Sequence, residues 1–277
     1  MFQMSQGDKS GPPVSEARPL GRATRHCYNL DAIARPLPQA VLTRMQSRTL
    51  KVERLGRVEY AAGLEIQKQT ERAVLTGEQP DTLLLLEHPH TLTLGRRAPQ
   101  NGIIADDAIL KARGVTVFET NRGGKVTYHG LGQIVGYPII NLSPDREDVH
   151  RFVRDLEEVL IRTMRDSDIE AFRIQGLTGA HTERGKVAAI GVHIARWVTT
   201  HGFALNVNTD LSYFNLIVAC EGEPVTSMKE LLGHEVELSA VEDRIIERFA
   251  EVFDMEIGSH KKAQEAQKEE NSIVYVS

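Results

Sequence analysis

Of the two cysteines in this 277-residue chain, Cys27 and Cys220, the second is placed for chemistry. It ends the apolar run Leu216-Ile217-Val218-Ala219 and precedes Glu221-Gly222, so packed chain holds the thiol where it can face a cleft. An ordinary thiol, with a pKa of about 8.5, is only a few per cent thiolate at neutral pH, so a nucleophilic cysteine needs a cation or a base beside it. The chain's lysines and histidines are the residue types that could supply one. Cys–His pairs are the commoner arrangement in general, and a lysine at a strand end is most often simply solvated, so residue types alone leave the choice open.

Three segments look unlike ordinary core. Arg122-Gly123-Gly124-Lys125-Val126-Thr127-Tyr128-His129-Gly130-Leu131-Gly132-Gln133 has four glycines in twelve residues. Glycines there let backbone approach a ligand and expose amide donors, although a hairpin with glycine turns reads equally well. In Gly185-Lys186-Val187-Ala188-Ala189-Ile190-Gly191-Val192 the residues after the lysine are small, leaving room for an overlying helix or a bound chain. A third segment, Thr200-His201-Gly202-Phe203-Ala204-Leu205-Asn206, leads toward the cysteine. Familiar motifs fail. Gly130 to Gly136 is one residue too long for a dinucleotide fingerprint and enters a strand. No P-loop or G-x-S-x-G elbow exists, and His234-Glu235 lacks the second histidine of a zincin. With no Cys-x-x-Cys pair either, no metal is expected.

Hydrophobic periodicity gives the elements that must position these groups. It predicts a strand near Leu50–Leu55, a helix over 58–75, and strands at Thr82–Glu87, Thr91–Leu94 and Val115–Phe118. A strand at Gly136–Ile140 is expected near a sheet edge, because Pro138 lacks an N–H. The strongest helix is 145–165, where Val149, Phe152, Val153, Leu156, Val159, Leu160, Thr163 and Met164 share a face. Ser143 is its expected N-cap and Pro144 its first residue. Strands return at Ile169–Ile174, Lys186–Ile194 and His201–Val207, and a last helix spans 241–253. Mixed strands and helices without strict alternation predict an α/β (α+β) domain, a mixed sheet flanked by helices.

That domain is expected over 45–258. Residues 1–44 hold five prolines and no apolar period, and read as a disordered extension, with Met45 an alternative start. Residues 259–277 read as a polar tail. The chain is 41% hydrophobic and 26% charged, enough for a core that the 5% aromatic content makes mostly aliphatic. A net charge of −5 argues against a nucleic-acid partner. No apolar run approaches the roughly 20 residues of a membrane helix. Scarce, unpaired cysteines fit a reducing, cytoplasmic setting.

Taken together the segments resemble the lipoyl (octanoyl) transferases, which move octanoyl from acyl carrier protein to protein lysines in lipoate synthesis. The matching pieces are RGGKVTYHGLGQ at 122–133, GKVAAIGV at 185–192, HGFALNV at 201–207, VTSM at 225–228 and LGRVEYAAGLEIQ at 55–67. The family has proline where Leu131 stands, and Pro-Cys-Gly where this chain has Ala219-Cys220-Glu221. Glu221 adds a carboxylate that would raise the thiol pKa.

The resemblance implies a biotin/lipoate protein ligase-like single domain with no cofactor. It implies octanoyl transfer from acyl carrier protein onto Cys220 as a thioester, then to a lysine of a lipoyl domain, in 2-oxoacid dehydrogenase E2 subunits or glycine cleavage H protein. Thioester exchange is nearly isoergic and the final amide is more stable, so no ATP is required. It assigns Lys186, ahead of His129, as the group that favours the thiolate and later accepts the incoming amine's proton. Arg122, Gly123, Gly124, Lys125, Val126, Thr127, Tyr128, His129, Ala189, Ile190, Gly191, Gly202, Phe203 and Ala204 would line the acyl site. Burying seven methylenes would contribute roughly 5 kcal/mol of gross binding. With acidic partners and a charge of −8 over 45–277, docking is expected at Arg96, Arg97, Arg122 and Lys125. The alternatives are an ATP-dependent lipoate–protein ligase, which needs no cysteine, and a non-catalytic relative that binds acyl carrier or lipoyl domains.

Overall fold

A computed structural model of the chain describes residues 48–218 and 223–258. The expected extension, tail and Cys220, with Ala219 and Glu221, lie outside the described residues. Along the chain the strands are β1 (Arg48–Arg57), β2 (Thr82–Glu87), β3 (Thr91–Leu94), β4 (Thr116–Glu119), β5 (Val126–His129), β6 (Gln133–Ile139), β7 (Ala180–Thr182), β8 (Gly185–Ala195), β9 (Val198–Asn206) and β10 (Met255–Ile257). The helices are α1 (Tyr60–Thr76), α2 (Asp107–Ala112), α3 (Val149–Arg165), α4 (Met228–Leu232) and α5 (Leu238–Phe253). Seven strands form a mixed sheet in the order β10-β1-β2-β6-β9-β8-β7, and three form a smaller sheet, β4-β3-β5.

The tetrad Leu83 to Leu86 in β2 shows why helices cover both faces of the large sheet. Alternation sends Leu83 and Leu85 to one side, against Phe152, Leu156, Leu160, Ile245 and Phe249 of α3 and α5. Leu84 and Leu86 point to the other side, with Val135, Tyr137 and Val74 of α1. No leucine of the four is more than 1% exposed, so each contributes roughly 1.5–3 kcal/mol of transfer free energy. Among the described residues no helix is long and apolar enough to cross a membrane.

Three local expectations differ from the structure. The long helix starts at Val149, four residues later than expected, because Asp148 is the N-cap and accepts from the Arg151 N–H. Ser143 instead donates its N–H to the Asn141 side chain. Residues 169–174 hold only a bridge between Phe172 and His181, not a strand. Finally, β6 is central, lying between β2 and β9, despite Pro138.

The sheet accommodates that proline by releasing one stretch of pairing. β6 pairs with β9 as far as Gly136 opposite Phe203, and the register resumes without a slip at Asn141 opposite Val198. Between them, Pro138 stands across from His201, which adopts φ +56°. The His201 N–H, which a proline carbonyl partner strand would ordinarily engage, donates instead to Gln67 Oε1 of α1 at 2.7 Å. The Thr199 hydroxyl donates to the Pro138 carbonyl at 2.6 Å. Gly202 is required beside this break: a Cβ there would lie 2.1 Å from the Gly136 carbonyl oxygen and 2.5 Å from Pro138 Cδ. Gly202→Ala should therefore lower unfolding stability by about 1–3 kcal/mol, read as a reduced urea midpoint at unchanged m-value.

Candidate active site

The cleft lies where strands of the large sheet meet β5 of the small one. Two adjoining cavities share Val126, Thr127, Ala189 and Ala204 as walls. Ala189 pairs with Ala204, and Gly191 with Gly202, so β8 and β9 present small residues in register. The room that the sequence leaves over these strands is taken by a cavity.

Residues 122–125 join the sheets. The Gly123 N–H donates to Val192 of β8 at 2.9 Å, while the Arg96 and Arg97 N–H groups donate to the carbonyls of Arg122 and Gly124, each at 3.0 Å. Arg122 is buried, and its Nη2 donates to the Thr93 carbonyl at 2.6 Å and the Thr93 hydroxyl at 2.8 Å. Gly191 makes room for this side chain, since a Cβ there would stand 3.2 Å from Arg122 Cδ. Arg122 thus belongs to the framework of the cleft, and the docking patch expected from the sequence keeps only Arg96, Arg97 and Lys125.

The larger cavity is lined by Arg122, Gly124, Lys125, Val126, Thr127, His129, Ala189, Ile190, Gly191, Gly202, Phe203 and Ala204, all named from the sequence. Gly123 borders an adjacent open groove instead. Tyr128 does not line either cavity. Strand alternation turns it into the core of the small sheet, where its hydroxyl meets His90 Nδ1 at 2.7 Å and its ring stacks on Tyr213. Lys186 lines the smaller cavity and is only 6% exposed.

Sequence reasoning missed the polar inner wall formed by Tyr60, Tyr137 and His201. It also missed His88, whose Nε2 lies 2.7 Å from the Tyr137 hydroxyl. Burial is the main cause holding all three nearby histidines neutral at pH 7, bringing His88 and His201 to about 4 and His129 to about 3. The signal available was polarity inside otherwise buried strands, as at Gln133 and Asn206. Gln133 takes His129 Nδ1 on its oxygen at 2.9 Å and donates to Asn206 Oδ1 at 2.9 Å. Asn206 in turn donates to the Thr226 carbonyl at 3.1 Å. A hydrogen-bonded line thus runs from His129 to the segment that follows Cys220.

That segment lies along Lys186. The Lys186 N–H donates to the Pro224 carbonyl at 2.8 Å, and the Thr226 N–H to the Lys186 carbonyl at 3.0 Å. Upstream, the Val218 N–H donates to the Gly102 carbonyl at 2.9 Å. Ile217 and Glu223, three residues to either side of Cys220, both line the cavity that Lys186 lines. His129 lines only the other one.

A family model, the lipoyl protein ligase A/B catalytic domain, matches residues 59–250. An octanoyltransferase of Solibacter usitatus is 51% identical over 211 residues, 76% of this chain and 96% of that one. An octanoyltransferase of Myxococcus xanthus is 50% identical over 217 residues, 75% of this chain and 60% of the other. Among solved structures, a bi-partite lipoate protein ligase studied with its E2 lipoyl domain, from Thermoplasma acidophilum, superposes with TM-score 0.60 at 16% identity. That match covers 83% of this chain and 92% of the other, and establishes a shared fold.

The three neutral histidines make stability depend on pH. Their folded pKa values lie below the ordinary 6.5, so the unfolded chain binds more protons between about 6.5 and 4. Stability should be full above pH 6.5 and fall as the pH drops through that window. His129→Gln should make the fall shallower by up to about 1.4 kcal/mol per pH unit, measured by urea unfolding at pH 7, 6, 5 and 4.5.

Proposed function

We propose, for a chain that belongs to the lipoyl protein ligase A/B catalytic family and to its octanoyltransferases, that it carries octanoyl from acyl carrier protein to lipoyl-domain lysines through a Cys220 thioester. The enzyme class is acyltransferase. Lys186 carries the reading: a nearly buried lysine in the wall of a narrow cleft, hydrogen-bonded through its backbone to the chain just beyond Cys220.

In the first half-reaction the Cys220 thiol gives its proton to a base and the thiolate attacks the carrier thioester. The new Cys–octanoyl thioester forms as the carrier thiolate leaves and takes up a proton. In the second, the acceptor lysine attacks the Cys220 thioester as a neutral amine, the C–S bond breaks as the Cys220 thiolate leaves, and the amine gives up a further proton as the amide forms. Lys186 takes the proton in each half-reaction, returns the first to the departing carrier thiolate, and as an ammonium favours the Cys220 thiolate before its attack and at its departure. His129 suits this work less, because its Nδ1 is committed to Gln133 and burial disfavours its protonated form.

The octanoyl chain fits against Val126, Ala189, Ala204 and Phe203, with the histidine and tyrosine wall closing the inner end. The E2 lipoyl domain studied with the Thermoplasma ligase supports a lipoyl domain as acceptor here too. Glycine cleavage H protein is a second acceptor of the same kind. Exposed Arg96 and Arg97 beside the cleft suit an acidic carrier. A cytoplasmic location suits a free catalytic thiol.

Intact-mass analysis after incubation with octanoyl-acyl carrier protein tests the pathway. Wild type should gain one octanoyl group without ATP, and Cys220→Ser none; an ATP requirement would favour the ligase reading, and binding without an adduct the non-catalytic one. Lys186→Ala should slow transfer by about 100-fold or more. Reversing Arg96 and Arg97 to Glu should raise KM for the carrier several-fold with kcat held, while an unchanged KM would remove them from docking.

A further inference from the structure

The Lys186 side chain can swing through several rotamers, and a nearly buried ammonium needs an anion nearby to be tolerated. Glu223 supplies it, with Oε2 at 3.0 Å from Nζ. On the same oxygen, His181 Nε2 approaches to 3.5 Å. His181 is 1% exposed, and neither of its ring nitrogens makes a hydrogen bond. The acyl-transfer reading uses neither Glu223 nor His181, and nothing in the sequence marked either one.

We propose that Glu223 is the positioning residue for Lys186, its carboxylate standing between the lysine ammonium and the buried His181 ring and fixing Nζ at the cleft wall. The proposal rests on the acid–base role given to Lys186 above.

Backbone pairing makes the cluster a built feature. His181 exchanges hydrogen bonds with Phe172 at 2.8 and 3.0 Å, and Lys186 is tied to Pro224 and Thr226 on both sides. The three side chains therefore start from fixed points on β7, on β8 and on the strand-like segment beyond Cys220. The 3.0 Å Nζ–Oε2 contact is an ion pair between groups anchored on different segments, so the carboxylate sets where Nζ rests at the cleft wall.

His181 does not compete as a second cation. Burial, then the charge of Lys186, lower its pKa, against the opposing pull of Glu223 and Glu157. Glu157 is itself engaged by Arg173 at 3.2 Å and by the Gly179 N–H at 3.1 Å. Among the described residues, the carboxylate of Glu223 faces one cation, Lys186, and the His181 ring.

The test is steady-state and single-turnover octanoyl transfer to a lipoyl domain by E223Q, E223D, K186A and the E223Q/K186A double variant. E223Q should lose about 100-fold in kcat, with KM for both protein substrates within about twofold. In the K186A background E223Q should cost nothing further, because it acts through Lys186. E223D, which keeps the charge one methylene further back, should recover part of the rate. Wild-type kcat in E223Q, or a loss that multiplies onto that of K186A, overturns the positioning role while leaving Lys186 in place. Wild-type rates in K186A overturn both. Should E223Q fail to fold by circular dichroism, E223D carries the comparison, with lowered kcat at constant KM supporting the role and an unchanged kcat overturning it.

Discussion

The cleft depends on a cation held inside protein. Arg122 lies buried between the two sheets, with its guanidinium on the Thr93 carbonyl and hydroxyl and its neighbour Gly123 bonded to Val192. A guanidinium presents donors in a rigid planar fork, and here they hold residues 122–125 onto β3 of the small sheet while the Gly123 backbone bonds to β8. His129 and Gln133 add a second link, from β5 to β6 of the large sheet. The space between the sheets is what becomes the cavity.

Around that tie the walls are sorted by polarity. Ala189, Ala204, Gly191 and Gly202 occupy paired positions on β8 and β9, and their lack of bulk is spread across both strands. Toward the inner end stand His88, His129 and His201, all neutral, and Tyr60, whose phenol is pushed up to about 12 chiefly by burial. These groups are polar and uncharged, and they are satisfied largely by one another or by nearby backbone and amide groups. Among the described residues, formal charge in the smaller cavity comes from Lys186 and Glu223. A low-dielectric cleft with one opposed pair at its wall concentrates any acid–base chemistry at that spot.

The central strand β6 shows how the fold and the site share a constraint. Pro138 interrupts its pairing with β9, and the interruption frees the His201 backbone for Gln67 of α1. The His201 side chain, set by the same positive φ, joins the cavity wall and meets Asn121 Oδ1 at 2.7 Å. A residue that breaks a ladder in the core of the sheet thereby shapes the cavity's inner wall.

Much of this was legible in the amino-acid order, because local periodicity reports which face of an element is buried. The leucine tetrad of β2, the stripe of α3, the glycine-rich loop and the small-residue strand all declared themselves through spacing alone, whereas Lys186 stood out only through the family resemblance. Other features depended on neighbours distant along the chain. Pro138 reads as an edge residue until the Thr199 hydroxyl is seen to satisfy its carbonyl and Gln67 the His201 N–H left over by the broken ladder. Tyr128 and Thr127 look alike as cleft residues until the small sheet turns one of them away. Arg122 reads as surface charge until Thr93, 29 positions earlier, is found bonded to it. His181 and Glu223 are unremarkable in sequence and meet only because β7, β8 and the chain beyond Cys220 converge. Residue type and spacing fix what a segment prefers, whereas contacts between segments decide which buried polar groups find partners, and that decision is made only when the chain has folded.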